Sequence, residues 1–267
     1  MESCHLTDRA VISLSGPEAR GFLQSLISND IERLAPGRGL YAALLSPQGK
    51  IGFDFFLAEG EGALLLDVAA AAREALLKKL KLYRLRAKVE ITPRDELGVY
   101  AGLSGDAVRR AVSFADPRLA DLPVRSIGAV AEMPAGLPGP EAYHAARLAL
   151  GVPESGDFGF EKIFALDGGL DELHAVSFEK GCYVGQELTA RMKHRATTRK
   201  RPLLVTAQAD LPAAGVALTR DGGEVGEIIA SYGRRGFASV RLDRLGEARE
   251  ALAGAVPVTL TKPGWLR

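Results

Sequence analysis

Cysteine is almost missing from this chain: among 267 residues only Cys4 and Cys182 carry a thiol. Two thiols cannot make a disulfide framework, and neither belongs to a Cys-x-x-Cys pair. A disulfide-stapled secreted domain is therefore excluded, and so is a four-thiolate cluster held by one chain. Long apolar runs are missing too, and no stretch approaches the roughly 20 residues that a membrane-spanning helix needs. Residues 1–9 include Glu2 and Asp8 and hold no apolar signal core, nor are they an Arg-rich, acid-poor transit peptide. These features together predict a reducing, cytoplasmic location. Net charge is nearly absent, at +1, so the whole chain gives no reason to expect a nucleic acid or a membrane as partner. His-Glu-x-x-His, Gly-x-x-x-x-Gly-Lys-Ser/Thr and a nucleophile-elbow serine are not found. His5, His144, His174 and His194 are scattered at no recognised zinc spacing.

What is present suffices for one large core or two to three smaller ones: 47% of the residues are hydrophobic and 25% charged. Residues 9–14 read as a strand. Ser15-Gly16-Pro17-Glu18 reads as a capping box before a helix whose apolar face is Ala19, Phe22, Leu23, Leu26 and Ile27. Residues 40–45 and 51–57 are strand-like and are joined by the turn composition Ser46-Pro47-Gln48-Gly49. A strand over 63–68, a helix marked by Ala72, Leu76, Leu80 and Tyr83, and strands over 88–91 and 97–103 follow. Residues 115–140 are rich in Pro and Gly and read as loop or linker. A helix over 141–150 and an irregular stretch over 151–170 come next. After Arg201-Pro202, short strands around 203–205, 225–231 and 237–242 are punctuated by glycines, the texture of a small β-barrel or sandwich. The expected organisation is an α+β region over residues 1–199 and a β-rich region over 200–267.

The most informative stretch is Lys180-Gly181-Cys182-Tyr183-Val184-Gly185-Gln186-Glu187, followed by Arg191 and Arg195. A cysteine stands here between glycines and near cations, ahead of a helix expected to start near Gly185. Glycines let backbone approach a ligand, while positive charge and a helix N-terminus favour thiolate over thiol. This reads as a reactive or ligand-facing cysteine; the competing reading is a small buried hydrophobe. Asp54 is a second candidate. Strand alternation sets Ile51, Phe53 and Phe55 on one face and Gly52, Asp54 and Phe56 on the other. A carboxylate there suits a flat ligand with N–H groups and, partly desolvated, proton transfer; the alternative is an exposed acid on a solvent face. Residues 78–88 and 191–201 each carry six cations and no acid. Either run could neutralise an anion, such as a polyglutamate tail or an RNA backbone, or be a solvated face.

The segment from Lys180 to Glu187, with arginines four and eight residues after the glutamate, resembles the signature of the YgfZ family of folate-binding proteins, relatives of the glycine-cleavage T-protein. Phe22 to Asp30, Tyr41 to Phe56, Leu85 to Glu90, Arg147 to Pro153 and Ala175 to Phe178 fit the same family in the same order. The resemblance implies a fold of folate-binding α+β modules around a central opening, the first two interleaved within residues 1–199, with a C-terminal β-barrel. It implies tetrahydrofolate, or a one-carbon derivative, as cofactor. It also implies Cys182 and Lys180 as the residues on which activity depends and Asp54 as the acid facing the reactive end of folate. Arg147, Gly181, Gly185, Gln186, Glu187, Arg191 and Arg195 complete the expected binding set. The function so implied is an accessory role in iron–sulfur cluster assembly or repair, with transient client enzymes or assembly factors as partners. Alternatives are a folate-dependent aminomethyl or one-carbon transferase, and an RNA-interacting scaffold linked to tRNA modification. Ala149 stands where glycine-cleavage relatives carry a glutamate, which argues against the transferase.

Overall fold

The computed structural model describes residues 2–60, 62–195 and 199–266. In chain order the elements are β1 (Cys4–His5), β2 (Arg9–Ser15), α1 (Ala19–Gln24), β3 (Leu40–Leu45), β4 (Ile51–Gly60), β5 (Ala63–Ala69), α2 (Arg73–Arg84), β6 (Glu90–Pro93), β7 (Leu97–Ala101), α3 (Gly105–Arg109), β8 (Val112–Phe114), β9 (Arg125–Ala129), α4 (Glu141–Ala149), α5 (Gln186–Arg195), β10 (Lys200–Ala207), β11 (Ala217–Arg220), β12 (Gly223–Tyr232), β13 (Arg235–Arg241), α6 (Leu242–Leu245), β14 (Glu250–Ala253) and β15 (Val256–Thr261). They form two compact units: residues 1–45, 53–146 and 173–184, and residues 46–52, 147–172 and 185–267.

The first unit is built on a five-stranded sheet ordered β3-β4-β5-β2-β6 and a four-stranded sheet ordered β1-β7-β9-β8. Period-two alternation splits the five-stranded sheet into two unlike faces. Ile12 and Leu14 of β2, Leu40, Ala42 and Leu44 of β3, Phe53, Phe55 and Leu57 of β4, and Leu64 and Leu66 of β5 enter one hydrophobic core. Phe22 and Leu23 of α1 and Leu76, Leu77 and Leu80 of α2 close over it. Each large apolar side chain buried there contributes about 1.5–3 kcal/mol. The opposite face carries Arg9, Tyr41, Asp54, Phe56 and Asp67, all buried.

The helix α1 differs from its sequence reading. Ser15 stays in the β2 ladder opposite Glu90, so its hydroxyl is not at a helix start. The N-cap is Glu18, without a side-chain capping bond, because its carboxylate accepts from the Lys88 N–H instead. Gly16 makes the turn between them at φ +105, where a Cβ would stand 2.4 Å from the Lys88 carbonyl oxygen. Residues 115–140 are likewise not all loop, since β9 lies within them and pairs with both β7 and β8.

The second unit contains a closed six-stranded barrel ordered β10-β13-β12-β11-β14-β15. Pairing of β10 with β15 shuts it, and closure leaves no sheet edge open. Its core includes Leu203, Val205, Ile228, Val240 and Leu260. No helix among the described residues is long and apolar enough to cross a membrane.

Candidate functional site

The loop bearing Cys182 is strapped to the segment that follows α1, within the first unit. Ser177 donates its N–H to the Ser28 carbonyl at 2.9 Å. The Ser28 hydroxyl donates to the Ala175 carbonyl at 2.6 Å, and the Asn29 amide donates to the His174 carbonyl at 2.7 Å. Ser177 Oγ then accepts from the N–H groups of Glu179 and Lys180, closing a tight turn.

Lys180 completes the strap. Its ammonium donates to the carbonyls of Gln24, Ile27 and Asn29 at 2.6, 2.8 and 2.8 Å. Burial lowers its pKa to about 8, with the Asp30 charge opposing. Three carbonyl oxygens also favour the charged form, since a neutral amine has only two protons for them. The charge expected from the sequence to activate the thiol is thus spent on holding the backbone.

Cys182 itself is exposed, while Tyr183 behind it is buried and Val184 packs against the core. The buried-hydrophobe reading is thereby set aside. Gly181 is exposed, and a Cβ there would meet nothing within 4 Å. Cys4 is buried and its thiol pKa is pushed up by burial, so it is no second ligand. Among the described residues no group of three metal-ligating side chains exists.

Downstream, the second unit resumes with Gly185 at φ +82, and α5 starts at Gln186. Glu187 and Arg191 form an exposed i,i+4 pair at 3.1 Å, worth a few tenths of a kcal/mol. Arg195 is exposed in the last turn, where a cation suits the helix dipole. In the run 191–201, of which residues 196–198 lie outside the described residues, the cations are partly neutralised. Lys193 pairs with Asp171 at 3.0 Å and Arg201 with Glu172 at 3.0 Å. Burial, and then the neighbouring Asp171 carboxylate, raise Glu172 to about 7.

Asp54 is neither a solvent-face acid nor an open acceptor. It is 3% exposed and accepts from the Tyr41 hydroxyl at 2.8 Å. Tyr41 stacks on Phe56, and the guanidiniums of Arg118 and Arg125 lie 4.6 and 3.9 Å from the Phe56 ring centroid. Asp67 accepts from Arg9 at 2.6 Å and from Arg125, and Asp116 holds Arg118 at 2.7 Å. Arg118 and Arg125 both donate to the Tyr143 hydroxyl. Sequence reasoning missed this network because its members are far apart along the chain; the one local signal is Asp67 inside the apolar run of β5. Arg147 lies in the second unit, where it donates to Asp157 at 2.6 Å and to Tyr232 at 3.1 Å. Burial works to lower its pKa, and the Glu154 and Asp157 charges outweigh that.

Fold and site together define a protein of the glycine-cleavage T-protein fold that presents one exposed thiol on a braced loop. Aminomethyltransferase T of the glycine cleavage system from Bartonella henselae superposes with a TM-score of 0.78 over 99% of this chain and 86% of that one, at 17% identity. Residues 199–267 match the CAF17 C-terminal beta-barrel domain. The mitochondrial iron-sulfur cluster assembly factor IBA57 of Mus musculus is 31% identical, over 97% of this chain and 84% of its own length. The Homo sapiens protein of the same name is 33% identical, over 94% and 83%. The chain belongs to the IBA57 family of iron–sulfur cluster assembly factors. The cytoplasmic expectation is corrected by the same comparison, because these relatives are named as mitochondrial. The expectation rests on scarce cysteine, which does not distinguish one compartment from another.

Proposed function

We propose that this chain is an accessory factor in iron–sulfur cluster assembly that lends the Cys182 thiolate to a cluster carried by a partner protein. The observation that carries this reading is the exposed thiol on a loop braced by Lys180. A braced loop holds the sulfur in place before the partner arrives, which lowers the ordering cost of association. One thiol cannot retain a cluster alone, so the remaining ligands come from the partner and the contact is transient.

Within the family we read residues 180–187 as the YgfZ type of signature. Tetrahydrofolate is the finer part of the proposal. The T-protein fold is a folate-binding fold, and Asp54 would accept from the pterin N–H groups. As folded, however, Asp54 is engaged by Tyr41 and shielded, with Tyr41 and Phe56 fully buried beside it. These residues do not offer a flat ligand an open site, and no step of the proposed function passes through folate. Calorimetric titration with tetrahydrofolate decides that part.

The test of the main reading is Cys182→Ala in cells lacking the native gene. Activity of cluster-dependent enzymes should fall to the level of the deletion while the variant accumulates normally. Full activity with the variant would remove the thiol from the mechanism.

A further inference from the structure

The end of α2 is unlike the rest of the surface. Leu76, Leu77 and Leu80 face the core, yet Leu82 is 67% and Leu85 84% exposed. Leu85 also has φ +48, a backbone region where a glycine or asparagine costs less. The fold therefore gains nothing from a leucine at this position, and strain of this kind points to a use. Around these leucines stand Lys78, Lys81, Arg84, Arg86 and Lys88, all exposed, with no ion pair to any of them among the described residues.

Leu85 and Arg86 form one wall of a groove of about 680 Å³ whose other wall is α1, with Phe22 and Ser25 lining it. Glu18, the acid on the α1 wall, has its carboxylate bound by the Lys88 N–H. The groove and the thiol loop both meet the C-terminal end of α1, where Ser25 lines the groove and the Gln24 carbonyl beside it accepts from Lys180. Cys182 lies two peptide units beyond Lys180, at most about 7 Å of chain.

We propose that this groove docks the acidic face of the cluster-bearing partner, with an apolar side chain of that partner seated against Leu85. The inference rests on the function proposed above and adds where the partner binds. Five exposed cations without a carboxylate partner complement an acidic surface and steer its approach. A bilayer fits less well, since a recessed groove and two leucines bury less apolar surface than one myristoyl chain, itself a marginal anchor. RNA fits less well because Tyr83 is half-buried with the Lys79 ammonium over its ring at 5.4 Å, which leaves no free aromatic face on this patch for a base.

The test uses the full chain and, as probe, a purified acidic carrier protein loaded with a [2Fe–2S] cluster. Leu85→Gly suits the local φ and removes the side chain, so it should fold normally and weaken carrier binding about tenfold. Lys81→Glu with Arg86→Glu should weaken it similarly and flatten its salt dependence. Both variants should keep the wild-type rate of Cys182 alkylation by iodoacetamide. Wild-type affinity in both variants would overturn the docking site while leaving the role of Cys182 standing. Carrier docking that is intact in Cys182→Ala, with cluster-enzyme activity also intact, would instead overturn the role of the thiol. Tight binding of tRNA or of anionic phospholipid vesicles, lost in the same variants and without carrier binding, would also overturn the proposal.

Discussion

Residues 78–88 and 191–201 have the same charge composition and opposite fates. In the first run the cations stand in solvent on α2 and the turn after it. In the second, acids far away in the chain come to meet three of the six cations: Asp171 reaches Lys193, Glu172 reaches Arg201 and Glu227 reaches Lys200. An acid-free run is therefore a statement about neighbours in sequence, while the field at a surface depends on neighbours in space. The same rule holds more strongly inside the first unit, where Asp67 is shared by two buried arginines.

The largest effect is expected where a neutralising acid is wholly buried. Asp67→Asn removes the carboxylate that Arg9 and Arg125 share, leaving Arg125 the longer contact with Asp116 at 4.0 Å, and should cost about 3–5 kcal/mol, read from urea unfolding. A loss below about 1 kcal/mol would mean that other partners replace Asp67.

A smaller effect is expected from pH at Glu172. Its folded pKa lies above its ordinary value, so its contribution is present at acid pH and is lost as pH rises through about 7. Asp171 is lowered despite its burial, with the Glu172 hydrogen bond and Lys193 favouring its charged form, so its own loss falls at lower pH. Stability should therefore decline from the ordinary glutamate pKa of 4.5 up to about 7, and Glu172→Gln should flatten that decline by roughly 1–2 kcal/mol. Parallel curves for the two proteins would show that no proton is held there.

The smallest effect is expected on α2. Lys81→Glu with Arg86→Glu should change stability by under about 0.5 kcal/mol, whereas Lys193→Glu with Arg201→Glu should cost several times more. Equal costs would erase the contrast between the two runs.

Local patterns were legible. The α1 face, the α2 face and β2 to β5 follow from periodicity, and the alternation that sets Asp54 and Phe56 opposite Phe53 and Phe55 holds. β9 was not legible, because Arg125 and Gly128 interrupt its apolar pattern and Pro123 and Pro134 flank it. The β14–β15 hairpin is short and places Pro257 opposite Leu252, again against strand composition. At the site, the glycines and charged neighbours of Cys182 left an exposed and a buried thiol both open, and the fold shows it exposed. The task of Lys180 could not, since its acceptors lie over 150 residues upstream. The segments Phe22 to Asp30, Ala175 to Phe178 and Lys180 to Glu187 were recognisable separately, and only the fold shows the first to be clasped by the other two.

That clasp sets a chemical limit on position 180. Three acceptors converge on one tetrahedral nitrogen, a geometry that the flat fork of a guanidinium does not reproduce. An arginine would keep the charge and lose the fit, and acetylation would remove the charge and leave one N–H for three carbonyls. The thiol loop is thus pinned by the shape of a single ammonium group, not merely by its sign.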